Sequence, residues 1–287
     1  MSRVHKPHRW QWLWLIPAAL LVWWPLWFLF MGALMSQEEL RLTIGPALGL
    51  GTGYTVWHLL PDWPTLEPLL TLLLDTPQFF VMFWNSIGQS VAHVAGNLLV
   101  GAPAAWAISR LRFRERSMVR GLYIVLMLLP FQVTMVPSYL VLRQFGLLDT
   151  PWAIILPGIF STFPVFIMER GFDTVPREVL ESASIDGANQ WQRFWRIGIP
   201  LGIPGLISAL TLGFLDAWNA IEQPMTFLES PQYWPLSLFF TDPANLDTKQ
   251  LGLAMAASLW MLLPSILAFR FGQTYLEAGL TKGAVKG

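Results

Sequence analysis

The 287-residue chain contains no cysteine, which excludes a disulfide framework, a thiolate metal site and a cysteine nucleophile. Charge is scarce: Asp, Glu, Lys and Arg make up 13% of the residues, about half the share usual in a soluble domain. The 18 basic and 18 acidic side chains cancel, so no excess positive charge argues for a nucleic-acid partner. A G-x-x-x-x-G-K-[ST] phosphate loop is missing, and "GLTKGAVKG", the nearest approach, lacks its spacing. His5 and His8 are terminal, and His58 and His93 are isolated in sequence, so no metal-ligand spacing is present. The chain carries no energy-transducing chemistry of its own, and a partner must supply it.

Apolar residues are abundant, at 54% of the chain, and they are gathered into runs. Residues 10–37, 76–109, 121–142, 150–168, 197–215 and 250–269 contain no Asp, Glu, Lys or Arg. Each is long enough for a bilayer-spanning helix, which takes about 20 residues. Six helices without a charged outer face do not suit a soluble protein, so the expected class is an all-α integral membrane protein. A seventh charge-free run, 42–61, holds Gly45, Pro46, Gly49, Gly51 and Gly53 and reads as loop. With six spans, fifteen of the eighteen Lys and Arg fall on one side, leaving Arg41, Arg143 and Lys249 on the other. The positive-inside rule then places both termini in the cytoplasm. The first run is about twice as long as a signal-peptide core and lacks a cleavage site, so it is expected to remain as an anchor.

The expected organisation is a cytoplasmic N-terminus (1–11), a first transmembrane helix (12–34), an external segment (35–78), a core (79–271) and a cytoplasmic tail (272–287). The five core helices are expected at about 80–108, 121–142, 152–170, 203–223 and 251–271. "WPTLEPLLTLLLDTPQFF" reads as a short surface helix, and Asp242 and Asp247 fall in an outer loop. Gln132 and Thr134, beside Pro130, mark an irregular stretch of helix three.

Among these runs lies a polar segment, "VPREVLESASIDGANQWQRFWRIGIP", residues 175–200. Pro176 suits a helix start, Gly187 permits a sharp turn, and Pro200 is expected to limit continuation into the fifth membrane helix. The outcome would be a helix–turn–helix with small Ser182 and Ala183 and bulky Phe194 and Trp195, shaped to dock in a groove of another protein. An ordinary interfacial loop is the alternative.

Glu181-Ser182-Ala183, Asp186-Gly187-Ala188 and Ile199-Pro200 together resemble the "EAA" coupling motif of permease subunits of ATP-binding-cassette (ABC) importers. Ser182 replaces the first alanine, and Ile199 stands where leucine is usual. "WNAIEQP" (218–224) is similar to a motif of carbohydrate permeases, as is "LPFQVTMVPSYLVLRQFGLLDT" (129–150). "FGQTYLEAGLTKGAVKG" (271–287) is similar to the end of the second maltose-transporter membrane subunit. The glycine-rich outer segment, 42–78, departs from the shorter loop of that family.

The resemblance implies a type I ABC importer permease fold in a bacterial cytoplasmic membrane, forming half of a heteromeric pore for a sugar, oligosaccharide or related polyol. It also implies a homologous second permease subunit, two ATPase subunits holding ATP and Mg, an external solute-binding protein, and no cofactor in this chain. Coupling is carried over to Glu181, Ser182, Ala183, Asp186, Gly187, Ala188, Ile199 and Pro200, within a loop over 171–202.

For the substrate pathway the residues themselves offer two groups. Asn85, Gln89, His93 and Asn97 are spaced by four, with Ser86 beside them, and so share one helix face. Neutral amides suit a polyhydroxyl solute, although interhelical hydrogen bonding would explain the same spacing. Asp216, Trp218, Asn219 and Glu222 form the second group, with Trp218 as a stacking surface or a packing residue. An ion-coupled secondary transporter using Asp216 and Glu222, or a non-transporting scaffold, are the alternatives; an intramembrane enzyme fits least, since no catalytic pairing of side chains is visible.

Overall fold

The computed structural model describes residues 9–48, 54–56, 58–241 and 251–284, and among these every regular element is helical. Asp242, Asp247, the C-terminal 285–287 and most of the glycine-rich stretch lie outside the described residues. Among the described residues five helices are long and apolar enough to cross a bilayer, and a bent pair adds a sixth when taken as one span. Two compact units are distinguished: Met1–Phe80 with Phe240–Leu262, and Val81–Phe239 with Leu263–Gly287.

In the first unit, α1 (Arg9–Gly32) is followed by α2 (Gln37–Ile44), which the sequence reading did not anticipate. Ser36 caps α2 by accepting the Glu39 amide, and Glu38 and Glu39 lie in the first turn, where the helix dipole favours them. Met31, Met35 and Leu40 form a small core with Ile44 and Leu251. The segment after α2 is tied to α1 and α2: Trp27 Nε1 donates to Leu59 O (3.0 Å), and the Asp62 amide to Glu39 Oε1 (2.7 Å). His58 is therefore not isolated in space, since its ring and the carboxylates of Glu39 and Asp62 lie within 4.8 Å of one another. The expected surface helix is a short α3 (Glu67–Leu70) running into a π-turn over Thr71–Asp75.

From α4 (Pro77–Arg110) the chain enters the second unit. The expected third span is broken into α5 (Arg116–Leu128) and α6 (Phe131–Gln144), which meet at 103°. Pro130 supplies the cause: it has no N–H to donate, and it forces Leu129 into extended backbone (ψ 124). The fourth span is α7 (Trp152–Ile159) and α8 (Thr162–Asp173), parted at Phe160 and Ser161. α9 (Arg177–Ile185) and α10 (Gln190–Arg193) follow. A π-turn over Phe194–Gly198 then leads without interruption into α11 (Ile199–Asn219). Pro200 therefore does not separate the polar segment from the fifth span: the helix runs through it, and the π-turn just before it, in which the Ile199 amide donates to Phe194 O, accommodates the missing N–H. α12 (Glu222–Phe227) is a separate short helix, and α13 (Leu251–Ala284) carries the sixth span on through most of the expected tail.

The core of this unit gathers Ala102, Ala105 and Trp106 of α4, Val165, Met168 and Phe172 of α8, Phe194, and Leu206 and Ala209 of α11. Gly171 and Gly205 let the backbones of α8 and α11 touch, as small residues do between membrane helices. A Cβ on Gly205 would lie well inside van der Waals contact distance of Gly171 Cα, whereas one on Gly213 would meet Pro164 Cγ at an ordinary 3.6 Å. Gly205→Val should therefore destabilise the folded chain by about 1–3 kcal/mol or more through overpacking, with Gly213→Ala close to neutral. Unfolding midpoints of the detergent-solubilised chain check this, and equal midpoints for the two variants would contradict it.

Candidate functional site

The polar segment folds as a helix–turn–helix. α9 closes with a Schellman motif, in which the Ala188 amide donates to Ala183 O (2.9 Å) and the Gly187 amide to Ser184 O (3.2 Å). Gly187 adopts φ +81, a conformation that disfavours side chains. Asn189 and Gln192 then form a capping box that starts α10. Val179, Ile185, Trp191 and Trp195 are exposed, Ile185 by 87%.

Phe194 is instead buried, between Trp106 (ring centroids 5.9 Å) and Phe172 (6.1 Å), which are themselves edge-to-face at 5.3 Å. This cluster fastens the segment to α4 and α8. The motif residues divide accordingly. Ala183, Asp186, Gly187 and Ala188 line one cavity of about 370 Å³ beside the turn, together with Ile197. Glu181 faces a different cavity, Ser182 is exposed, and Ile199 and Pro200 begin α11.

The arginine-rich turn after α4 is bound to the end of α8. Arg110 donates to the carbonyls of Phe172 and Val175, and Arg116 to those of Ile108 and Ser109. Ser109 Oγ donates to Asp173 Oδ1 (2.7 Å), and Arg120 pairs with Glu169 and Asp173.

The polar face of α4 meets the protein's own backbone. Asn85 Nδ2 donates to Gln232 O (2.7 Å) and Trp234 O (3.1 Å), and Gln89 Nε2 to Tyr233 O (2.8 Å). Ser86 Oγ accepts the Leu236 amide (2.7 Å). Asn97 Nδ2 lies against the carbonyls of Gly158, Ile159 and Ser161 at 3.5, 3.0 and 3.2 Å. His93 packs beneath Gly158, where a Cβ would overlap its ring. Ser86, Gln89, His93 and Asn97 are buried, and within this chain the stripe makes interhelical and loop contacts, Asn97 serving carbonyls left open at the break between α7 and α8.

The second group is also divided. Trp218 is 1% exposed, stacked on Phe214 (5.8 Å) and edge-on to Phe83 (6.0 Å), so it packs the core and offers no face to a sugar. Asp216 and Asn219 are exposed, one turn apart near the end of α11. Glu222 does not share their helix, since the chain leaves α11 at Ala220 in extended backbone (ψ 126). Glu222 Oε2 instead accepts from Gln132 Nε2 (2.6 Å), across the α5–α6 bend.

One contact was not foreseen, at a residue read from the sequence only as part of a turn. Asp149, in the loop after α6, adopts φ 54 and accepts from the Glu229 amide (2.9 Å), the Ser230 amide (2.7 Å) and Ser230 Oγ (2.5 Å). Its only sequence signal is an Asp in a turn, where a left-handed conformation is tolerated.

The sequence pattern of the family of binding-protein-dependent transport system inner membrane components matches residues 97–282. The chain is 32% identical over 234 residues to the inner membrane ABC transporter permease protein YcjP of Escherichia coli (strain K12), covering 80% of this chain and 83% of that one. It is 27% identical over 227 residues to the arabinooligosaccharides transport system permease protein AraQ of Halalkalibacterium halodurans, covering 79% and 81%. Among solved structures it is similar to a chain of a bacterial ABC transporter involved in the import of the acidic polysaccharide alginate. That match has a TM-score of 0.76 at 23% identity and covers 92% of this chain and 94% of that one.

The Asp149 carboxyl is held below the usual carboxylate range, first by the Ser230 hydroxyl and then by the Ser230 and Glu229 amides. A lowered folded-state pKa means that the clamp is fully present above the unfolded value of about 4 and is lost as pH falls through the lower folded value. Asp149→Asn tolerates the same backbone while removing the charge and one of the two acceptor oxygens. Amides 227–230 should then exchange faster in the variant at pH 7, while in the wild type they lose protection only below about pH 4, after correction for intrinsic rates. Equal protection at pH 7 would show that the carboxylate does not hold this loop.

Proposed function

Because the chain belongs to the family of binding-protein-dependent transport system inner membrane components, the permeases of ABC transporters, we propose that it forms half of an ATP-driven import pathway for a sugar, oligosaccharide or related polyol. It is a transport component and a multi-pass protein of the cytoplasmic membrane. The other half of the pathway is a homologous permease. Two ATPase subunits hold ATP and Mg, and an external solute-binding protein delivers the solute. Both termini face the cytoplasm, in keeping with the distribution of Lys and Arg.

The observation that carries this reading is the coupling segment: an exposed apolar surface fixed to membrane helices by the Phe194, Trp106 and Phe172 rings. Exposed apolar side chains beside a tight turn suit a helix-in-groove contact with an ATPase. A close-packed aromatic joint has little compliance, so displacement of α9 and α10 would shift α4 and α8 with them. The solute pathway runs past Asp216, Asn219, Gln132 and Glu222, which are exposed within or beside apolar helices and so need water or a polar partner. The α4 stripe acts as the frame of that pathway.

Affinity purification of the tagged full-length chain in mild detergent should recover a second permease and an ATPase. Gly187→Pro, which φ +81 forbids, and Glu181→Lys should each lose the ATPase and lower uptake about tenfold or more, a loss of at least about 1.4 kcal/mol of coupling. Normal uptake with a retained ATPase in both variants, or recovery of the chain alone, would overturn the reading.

A further inference from the structure

Behind the coupling helix lies a cavity of about 660 Å³, which among the coupling residues only Glu181 reaches. Arg177, Leu180, Glu181 and Ser184 line it from one face of α9, Arg110, Arg112 and Arg116 from the turn after α4, and Gln190 and Arg193 from α10. Five guanidinium groups therefore surround it with a single carboxylate.

Two of the five have work elsewhere, since Arg110 and Arg116 cap backbone carbonyls. Those carbonyls satisfy N–H groups without cancelling charge. The ion pairs among the described residues involve His58, Asp62, Arg120, Glu169 and Asp173, so none engages Arg112, Arg177 or Arg193. Two donors on the lining residues, Arg193 Nε and Trp106 Nε1, are buried without a hydrogen-bond partner. Orphaned buried donors are uncommon and require an explanation. Like charges gathered around a cavity of this size are stabilised by an anion, and guanidinium groups match phosphate oxygens in geometry.

We propose that this cavity is a binding site for a phosphate-bearing anion, either the headgroup of an anionic phospholipid or a soluble phosphate ester. Arg112, Arg177 and Arg193 supply the charge, and Ser184 and Gln190 supply neutral hydrogen bonds. The volume admits a headgroup or a small ester, and basic pockets at the ends of membrane helices are suited to anionic headgroups. The lining residues come from this chain, and the test reads anion binding without an ATPase, so its failure is distinguishable from failure of the transport reading.

The test uses the full-length chain, the variants Arg177→Gln and Arg193→Gln, and Arg114→Gln, an exposed arginine of the same turn outside the cavity, as control. Thermal midpoints are read by tryptophan fluorescence against inorganic phosphate, with chloride holding ionic strength constant. Native mass spectrometry reads phosphatidylglycerol retained from vesicles of phosphatidylcholine and phosphatidylglycerol.

The wild type and Arg114→Gln should show a phosphate-dependent rise in midpoint, with the apparent affinity weakened about tenfold in the cavity variants. Retained phosphatidylglycerol that is lost in the cavity variants assigns the site to lipid. A phosphate response without lipid retention assigns it to a soluble ester. Neither response, or the same responses in all three variants, overturns the site. Should Arg193→Gln fail to give a monodisperse protein, Arg177→Gln carries the comparison, since that side chain is exposed.

Discussion

A peptide carbonyl inside hydrocarbon has no water to accept from, so every interruption of a membrane helix must be answered by a donor from the protein. This chain interrupts its spans at Leu129–Pro130 and at Phe160–Ser161. The second break releases the carbonyls of Gly158, Ile159 and Ser161, and the single amide of Asn97 stands against all three. Further along the same face, Asn85, Ser86 and Gln89 bind the backbone between Gln232 and Leu236. The polar face of α4 thus makes an irregular backbone tolerable. Its neutrality follows from the same need: amides and a hydroxyl serve carbonyls and amides without bringing a formal charge into the apolar core.

The arginines after α4 answer a related need at the membrane boundary. Arg110 and Arg116 satisfy carbonyls at the ends of α4 and α8, as basic side chains commonly do at helix C-termini. Beside them, Phe194 inserts between Trp106 and Phe172. The coupling segment is consequently held by two unlike kinds of contact, an aromatic cluster on the apolar side and charge-assisted hydrogen bonds on the polar side. Aromatic packing resists small shear because the rings interdigitate, and the arginines hold the carbonyls that the ends of α4 and α8 leave open.

Charge-free runs made the spans legible in the sequence, and Gly187 with its flanking small residues made the turn after α9 legible. Both signals are local. Helix periodicity correctly gathered Asn85, Gln89, His93 and Asn97 on one face, but it could not say what that face meets, because the partners are carbonyls some sixty to 150 positions away in the chain. α2 was missed even though Ser36 and Glu39 carry a capping pattern, because the charge pattern there was read only as the end of a span. The separation of Glu222 from α11 had no forewarning, since neither glycine nor proline stands between Asn219 and Glu222. Pro130 did forewarn the α5–α6 bend, because its effect acts on the neighbouring residue alone.

Exposure carries opposite meanings on different parts of this chain. α1 shows tryptophan and leucine side chains outward along most of its length, from Trp10 to Trp27, a surface that suits lipid. Asp216 and Asn219 are exposed near the end of a helix whose other residues are nearly all apolar, and lipid would charge several kcal/mol for a carboxylate there. That group therefore has to border water or a polar surface of another chain. Trp218, between them in sequence, is held inside by Phe83 and Phe214, which fixes the rotation of α11 and so the direction in which Asp216 and Asn219 face. A buried aromatic anchor that aims an exposed carboxylate is the arrangement expected where one half of a pathway waits for the other.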